Sequence, residues 1–393
     1  MPTTFGHARL ADWPLDPAIT YLNHGTVGVA PRRVMAAQQA IRDQMERQPA
    51  TFMFRDANHL EGRAVSAVPR MRAAAAEVAE FLGARGEDLV FVDNATAGVN
   101  AVVRSLEWRE GDEVLACDHG YGAVTLAARG ITRQFGATVR ELELPFPATR
   151  ADAIVESIVA AIGPRTKLVI LDHVTSGSAL VLPIGRLARE CHARGVPLLV
   201  DGAHAPGALP VNLGTLGVDW YTGNLHKWAL SPRSCGVLWA PSERQVGLHA
   251  PVLSWGLDKG FTAEFDWMGT RDPSPWLAAP EGLRVLREFG LDVLRAHNHD
   301  VAWRGAHLLA DRLGTRFEVE EAMVGCMAAV PLPPEFGAGQ EAATRLRDAL
   351  LFEDRFEVPV IVFRDTLSLR ISAQAYNELG DVERLAEAVA RRR

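Results

Sequence analysis

Lysine is scarce in this chain of 393 residues. Lys and Arg together total 41, and only Lys167, Lys227 and Lys259 are lysines. Guanidinium serves wherever a surface cation is wanted, but it cannot be deprotonated. An amine can lose its proton and attack a carbonyl. Lys227 has the richest setting of the three, in Trp220-Tyr221-Thr222-Gly223-Asn224-Leu225-His226-Lys227-Trp228. It follows a strand-like run and sits between His and Trp, where partial desolvation lowers an amine pKa toward the neutral form that imine chemistry requires. Asn224 and His226 beside it suit a phosphate group.

Two further segments suit the same chemistry. Val200-Asp201-Gly202-Ala203-His204 ends a buried apolar run in a carboxylate. Such a carboxylate is costly unless it meets a cation, and a protonated pyridine nitrogen is one. The small residues around His204 leave room for a flat ring. Asp93-Asn94-Ala95-Thr96-Ala97-Gly98 is a strand-to-helix turn whose free N–H groups, with the Thr96 hydroxyl, suit a phosphate dianion. Asp118, His119, Asp172 and His173 also fall at strand ends. With Asp201 and His204 they define a rival, a metal-dependent hydrolase, although no compact metal-ligand spacing such as HExxH is present.

These residues need a scaffold, and the pattern supplies one. Strands are expected at Leu89–Val92, Glu113–Cys117, Val139–Leu144, Leu168–Asp172, Pro197–Asp201, Asp219–Thr222 and Gly236–Ala240. Helical patterns at Ala97–Leu106, Tyr121–Phe135, Ala151–Ile162 and Ile184–Arg194 separate several of them. Apolar strands alternating with helices predict a mainly parallel seven-stranded α/β sheet covered on both faces, and ligands of such sheets bind at the carboxyl ends of the strands. Helices are expected at Arg32–Arg47 and His59–Leu82 before the sheet and at Trp276–Phe289 and Leu291–Leu313 after it. The C-terminal eighty or so residues read as α+β, with strands near Met323–Val330, Val358–Phe363 and Leu367–Ile371. The expected division is a large domain over residues 21–270 and a small one from 1–20 and 271–393.

Composition sets the outer limits. A net charge of −7 gives no basic footprint for nucleic acid and argues against anionic membranes. Apolar runs are strand-sized, and the first sixteen residues carry no secretory pattern. Cys117, Cys191, Cys235 and Cys326 are scattered without a CxxC pair, as expected of reduced thiols in a cytoplasmic protein.

In order along the chain, Tyr21-Leu22-Asn23-His24-Gly25, Asn94-Ala95-Thr96, Asp118-His119-Gly120-Tyr121-Gly122, Asp172-His173-Val174-Thr175-Ser176, Asp201-Gly202-Ala203-His204, Asn224-Leu225-His226-Lys227, Gly269-Thr270-Arg271-Asp272-Pro273 and Leu369-Arg370-Ile371-Ser372 resemble the motifs of the class V aminotransferase family, nearest to its isopenicillin N epimerase-like branch. The resemblance implies the fold type I architecture of pyridoxal 5'-phosphate (PLP) enzymes, in a homodimer with shared active sites. It implies a Schiff base on Lys227, Asp201 against the pyridinium and His204 beside the ring. Tyr121 or His119 would stack on the ring, Tyr121 preferred, and Thr175 or Ser176 would reach its hydroxyl. Ala95, Thr96, Asn224 and His226 would bind phosphate, with Thr270 from a second subunit. Asn23, His24 and Arg370 would face an amino-acid substrate, Arg370 gripping its α-carboxylate.

The chain departs from the family pattern in two places. After Lys227 it has Pro232-Arg233-Ser234-Cys235-Gly236 in place of a Lys-Gly-Ser-Gly-like turn. Residues 356–363 also lack the nucleophilic cysteine a desulfurase needs. The expected activity is therefore chemistry at the Cα of an amino acid, epimerisation first, with transamination or C–S elimination as the alternatives. A binding module without catalysis is disfavoured by the intact Lys, Asp and Arg set.

Overall fold

The computed structural model describes residues 4–147 and 149–393. Among the described residues there are twelve strands: β1 (Thr20–Tyr21), β2 (Leu89–Val92), β3 (Glu113–Cys117), β4 (Thr138–Leu142), β5 (Thr166–Asp172), β6 (Leu198–Gly202), β7 (Trp220–Asn224), β8 (Gly236–Trp239), β9 (Met327–Pro331), β10 (Phe356–Glu357), β11 (Val360–Phe363) and β12 (Thr366–Ser372). Seven of them form the main sheet, in the order β2-β8-β7-β6-β5-β3-β4, and β8 alone runs against its neighbours. This is the expected mainly parallel seven-stranded sheet of the PLP fold type I class. Alternate side chains enter different cores: Leu89 and Phe91 pack on one face of β2, Val90 and Val92 on the other. Helices cover both faces, so the strands are buried rather than half-polar, except for the partly exposed edge strand β4.

The covering helices include α1 (Arg32–Arg47), α2 (Arg70–Phe81), α3 (Ala95–Ser105), α4 (Gly122–Thr132), α5 (Ala151–Ala161) and α6 (Ile184–His192). The expected helix over His59–Leu82 is shortened to α2. Gly62 takes a left-handed φ of 62°, and Pro69 disfavours helical backbone at the residue before it, so regular helix starts only at Arg70.

The C-terminal unit contains α8 (Leu291–Leu313), α9 (Gly339–Phe352) and α10 (Leu379–Ala390) around the antiparallel sheet β11-β12-β9. The preceding helix α7 (Ala279–Phe289) packs on α1 and α2 of the large unit and also on α8. The chain's N-terminal segment is stitched to the C-terminal unit: β1 pairs in parallel with β10, and Asn23 bridges to Ser372.

Candidate active site

Six of the seven main strands point the same way, so their C-terminal ends meet at one edge of the sheet. Asn94 follows β2 and Tyr121 follows β3. Asp172, Asp201 and Asn224 lie at or near the ends of β5, β6 and β7, and Lys227 lies on the next loop. These six residues line one cavity of about 220 Å³, with Thr26, Ala95, Thr96, Ser176, Ala203, His204 and His226.

Lys227 is half-buried there. Its Nζ lies 3.1 Å from His204 Nε2. Burial, helped by the nearby Arg370 cation, pulls its pKa down to about 8, against the opposing pull of Asp201 and Asp172. His204 is held well below the usual imidazole range, first by burial and then by Lys227, so it is neutral. Its Nδ1 is buried without a hydrogen-bond partner. The loop bearing Lys227 is pinned from two sides at glycines. A β-carbon on Gly28 would overlap the His226 carbonyl, and one on Gly207 the Trp228 carbonyl; both glycines also have left-handed φ. Leu230 and Ser234 share that backbone region, which is costly for residues with side chains. The unusual turn after Lys227 is thus a strained loop.

Asp201 is buried, and one carboxylate oxygen accepts from Ala203 N at 2.9 Å. Its strand neighbour in register is Asp172. Burial pushes both carboxyls above the ordinary range; Asp172 is raised further by the Asp201 charge. Asp172 was legible only as a strand-end polar residue. The register that puts two buried carboxyls side by side is invisible in a linear string. Asp172 also accepts from Tyr121 N at 3.4 Å, holding the Tyr121 loop to the cavity.

At the start of α3, Asn94 caps Ala97 N through its side chain, while Asn224 Oδ1 accepts from Ala95 N at 2.8 Å. Thr96 and His226 complete this rim of the cavity. His226 Nδ1 sits 2.9 Å from the Cys235 carbonyl, and burial lowers its pKa to about 4.

Other expected residues lie elsewhere. His119 packs against Phe363 and Phe146, with Nδ1 2.6 Å from Ser178 Oγ, and it lines neither the Lys227 cavity nor its outer extension; Tyr121 lines both. The Thr175 hydroxyl meets Ser178 Oγ and the Leu180 N–H, leaving Ser176 as the member of that pair on the cavity. His24 is buried between the Tyr376 hydroxyl at 2.9 Å and the Lys227 carbonyl at 3.1 Å, beneath the lysine loop rather than in the cavity. Thr270 is exposed and lines neither the Lys227 cavity nor its outer extension. Asp172, Asp201 and His204 of the rival metal set share the cavity, but the other members are engaged elsewhere: Asp118 pairs with Arg364, and His173 Nδ1 lies 3.0 Å from the Tyr221 hydroxyl.

The cavity opens into a second one of about 480 Å³ between the domains, which shares Thr26, Tyr121, Ser176 and Lys227 with it and adds Asn23 and Arg370. Arg370 is buried. It donates to the Ser176 carbonyl and to Thr26 Oγ1, while its Nε has no partner.

Residues 21–331 match the family profile of aminotransferase class V. The chain belongs to that family. An isopenicillin N epimerase from Amycolatopsis lactamdurans is 34% identical over 95% of each chain. A probable chloroplastic L-cysteine desulfhydrase from Arabidopsis thaliana is 31% identical over 95% of this chain and 83% of that one. A solved structure of a C-DES variant, with glycine covalently linked to its PLP cofactor, superposes with a TM-score of 0.78 at 20% identity, over 97% of this chain and 98% of that one.

This class V chain is a PLP-dependent enzyme, and its residues fit the group. A cationic ring nitrogen would relieve the buried Asp201 carboxylate, a neutral amine is at hand on Lys227, and the rim of Thr96, Asn224 and His226 at a helix start suits a phosphate.

Proposed function

We propose that this enzyme epimerises an amino acid at Cα, with Lys227 and Tyr121 as its two proton carriers. The observation that carries this reading is strand order. Lys227 follows β7 and Tyr121 follows β3, so they flank, from opposite sides, the adjacent strands β6 and β5 that present Asp201 and Asp172. Lys227 would be the covalent anchor of PLP, Asp201 the partner of its ring nitrogen, and Ala95, Thr96, Asn224 and His226 the phosphate cup. PLP, when bound, supplies the electron sink that acidifies a Cα–H bond. Arg370 would grip the α-carboxylate as a fork, because its guanidinium is buried, preset by Ser176 and Thr26 and still has an unpartnered Nε. Lys227, neutral for part of the time near neutral pH, would take the proton from one face of Cα. The Tyr121 hydroxyl would return one to the other.

Chiral analysis in deuterated water tests this. Wild-type holoenzyme should convert either enantiomer of a substrate into a mixture deuterated at Cα. Tyr121→Phe should keep exchange with retention and lose inversion. Inversion at the wild-type rate in Tyr121→Phe would remove Tyr121 from the role. The similarity to a cysteine desulfhydrase favours elimination as the second reading; release of sulfide with pyruvate and ammonia, without an inverted amino acid, would select it.

A homodimer and a cytoplasmic location belong to the same proposal. Val252, Leu253 and Trp255 lie exposed together on one connector, the kind of apolar surface that marks an interface. The four cysteines are all unpaired and buried. No described helix is long and apolar enough to cross a membrane. Light scattering on the purified protein reports the oligomer directly.

A further inference from the structure

The outer cavity holds more chemistry than a small amino acid would use. Besides Arg370, the small domain supplies much of its wall. Leu351 on α9 and the run Val358-Pro359-Val360-Ile361 form an apolar stretch, and Arg347 and Glu357 add a cation and an anion to the lining. Arg347 and Leu351 are one helical turn apart on α9, so both reach the cavity from the same face. Glu357 ends β10 beside Asn23, whose Nδ2 donates to it at 3.4 Å. The apolar stretch and the carboxylate clamp are one unit, because Arg370 N donates to the Pro359 carbonyl at 3.1 Å.

A cavity of about 480 Å³ lies within the ~300–1,000 Å³ range of pockets that enclose drug-sized ligands. A cysteine or alanine side chain bound at Lys227 and Arg370 would leave most of it to water. The lining combines a buried cation for a carboxylate, an apolar stretch, and one positive and one negative side chain. Arg347 carries little obligation elsewhere. Its contacts are to the adjacent Asp348 carboxylate, at 2.9 and 3.1 Å, in an exposed pair, and such pairs are weak.

We infer that the substrate is an α-amino acid with an extended, largely apolar side chain ending in both an ammonium and a carboxylate. The far carboxylate meets Arg347 and the far ammonium meets Glu357, while Arg370 and Lys227 hold the reacting end. This rests on the reading of the inner cavity as a Cα-chemistry site and adds the substrate class.

Four probes with cofactor-loaded enzyme in deuterated water test it: L-cystathionine with both far charges, L-2-aminoadipate with the carboxylate, L-lysine with the amine and L-norleucine with neither. Total consumption plus α-proton exchange is the readout. L-cystathionine should exceed L-norleucine in kcat/KM by roughly a hundredfold, about tenfold for each charged contact. Arg347→Ala should cut the cystathionine-to-norleucine ratio roughly tenfold, through KM, and the aminoadipate ratio with it. Glu357→Gln should do the same for cystathionine and lysine and spare the aminoadipate ratio. Both side chains are partly solvent-exposed, so the variants should fold, and thermal melting checks this. Equal kcat/KM for L-norleucine and L-cystathionine, or ratios unmoved by either variant, overturns the substrate class while leaving Cα chemistry standing. Absence of exchange from all four probes, in enzyme shown by absorbance to hold PLP, overturns the Cα reading and the substrate class together.

Discussion

The environment of Lys227 permits a quantitative test. Burial and the nearby Arg370 move its pKa from the ordinary 10.5 to about 8. At 1.36 kcal/mol per unit, this disfavours the ammonium by about 3 kcal/mol. At pH 7.5 an ordinary lysine is a free amine about one part in a thousand, whereas Lys227 would be so about one part in four, a gain of roughly 200-fold. The perturbation is to load PLP onto apo-protein by stopped flow between pH 6.5 and 9.5, following visible absorbance. Only the neutral amine captures the cofactor, so the rate should climb with pH and level off above about 8, and Lys227→Ala should give no covalent chromophore. Arg370→Met removes a cation that depresses the amine, and the midpoint should move up. Asp201→Asn removes an anion that supports the ammonium, and the midpoint should move down. A wild-type midpoint above pH 9.5, or shifts of opposite sign in the two variants, would refute the electrostatic account.

Three further outcomes follow from the packing. Gly207→Ala should destabilise by on the order of 2 kcal/mol, because its backbone is left-handed and a β-carbon would overlap the Trp228 carbonyl; thermal melting and the PLP loading rate should both fall. Asp172 is raised above the ordinary carboxyl range in the folded state, so folding takes up a proton there and stability falls as pH rises from about 4 through the raised value. Asp172→Asn apo-protein, uncharged throughout, should therefore lose less stability than wild type between pH 5 and 8 in urea titrations. Arg364 on the β11–β12 turn donates from Nε to Asp118 at 2.7 Å and from Nη2 to the Leu144 carbonyl at 2.8 Å, tying the small domain to the segment that leads into Tyr121. Arg364→Ala should cost only about 1 kcal/mol in stability, since the pair is partly exposed, yet raise KM by loosening the cavity wall; an unchanged KM would count against that link.

Much of the scaffold was legible because buried parallel strands carry a local signature. Leu89–Val92 and Glu113–Cys117 have the expected boundaries to the residue. So do the helices Arg32–Arg47 and Leu291–Leu313, where apolar periodicity and flanking breakers agree. The helix over His59–Leu82 was over-extended because its apolar pattern outweighed Gly62 and Pro69. β1 and β10 were missed because each is two residues long and exists only through the other. At the site, residue type and position relative to a strand end brought Lys227, Asp201, His204 and Asn224 to one cavity. Neighbouring side chains of one motif could not be told apart: His119 and Tyr121, or Thr175 and Ser176, are separated only by which way the loop turns. Arg347 and Glu357 gave no signal at all, since an Arg on an amphipathic helix and a Glu at a strand end are ordinary surface residues until the domains meet.

The two cavities divide their walls unequally between the domains. Apart from Thr26, the cofactor cup is built from the edge of the large sheet, and the outer wall from α9, β10 and β11 of the small unit. On the proposed reading, substitutions at 347, 351 or 357–361 would therefore change what the enzyme accepts without touching the group that activates it. A lineage built this way can keep its reactive centre while its diet drifts, so relatives at about a third identity can bear the names of an epimerase and a desulfhydrase. For an engineer, the small domain is the place to graft new selectivity, and the loop pinned by Gly28 and Gly207 is the place to leave alone.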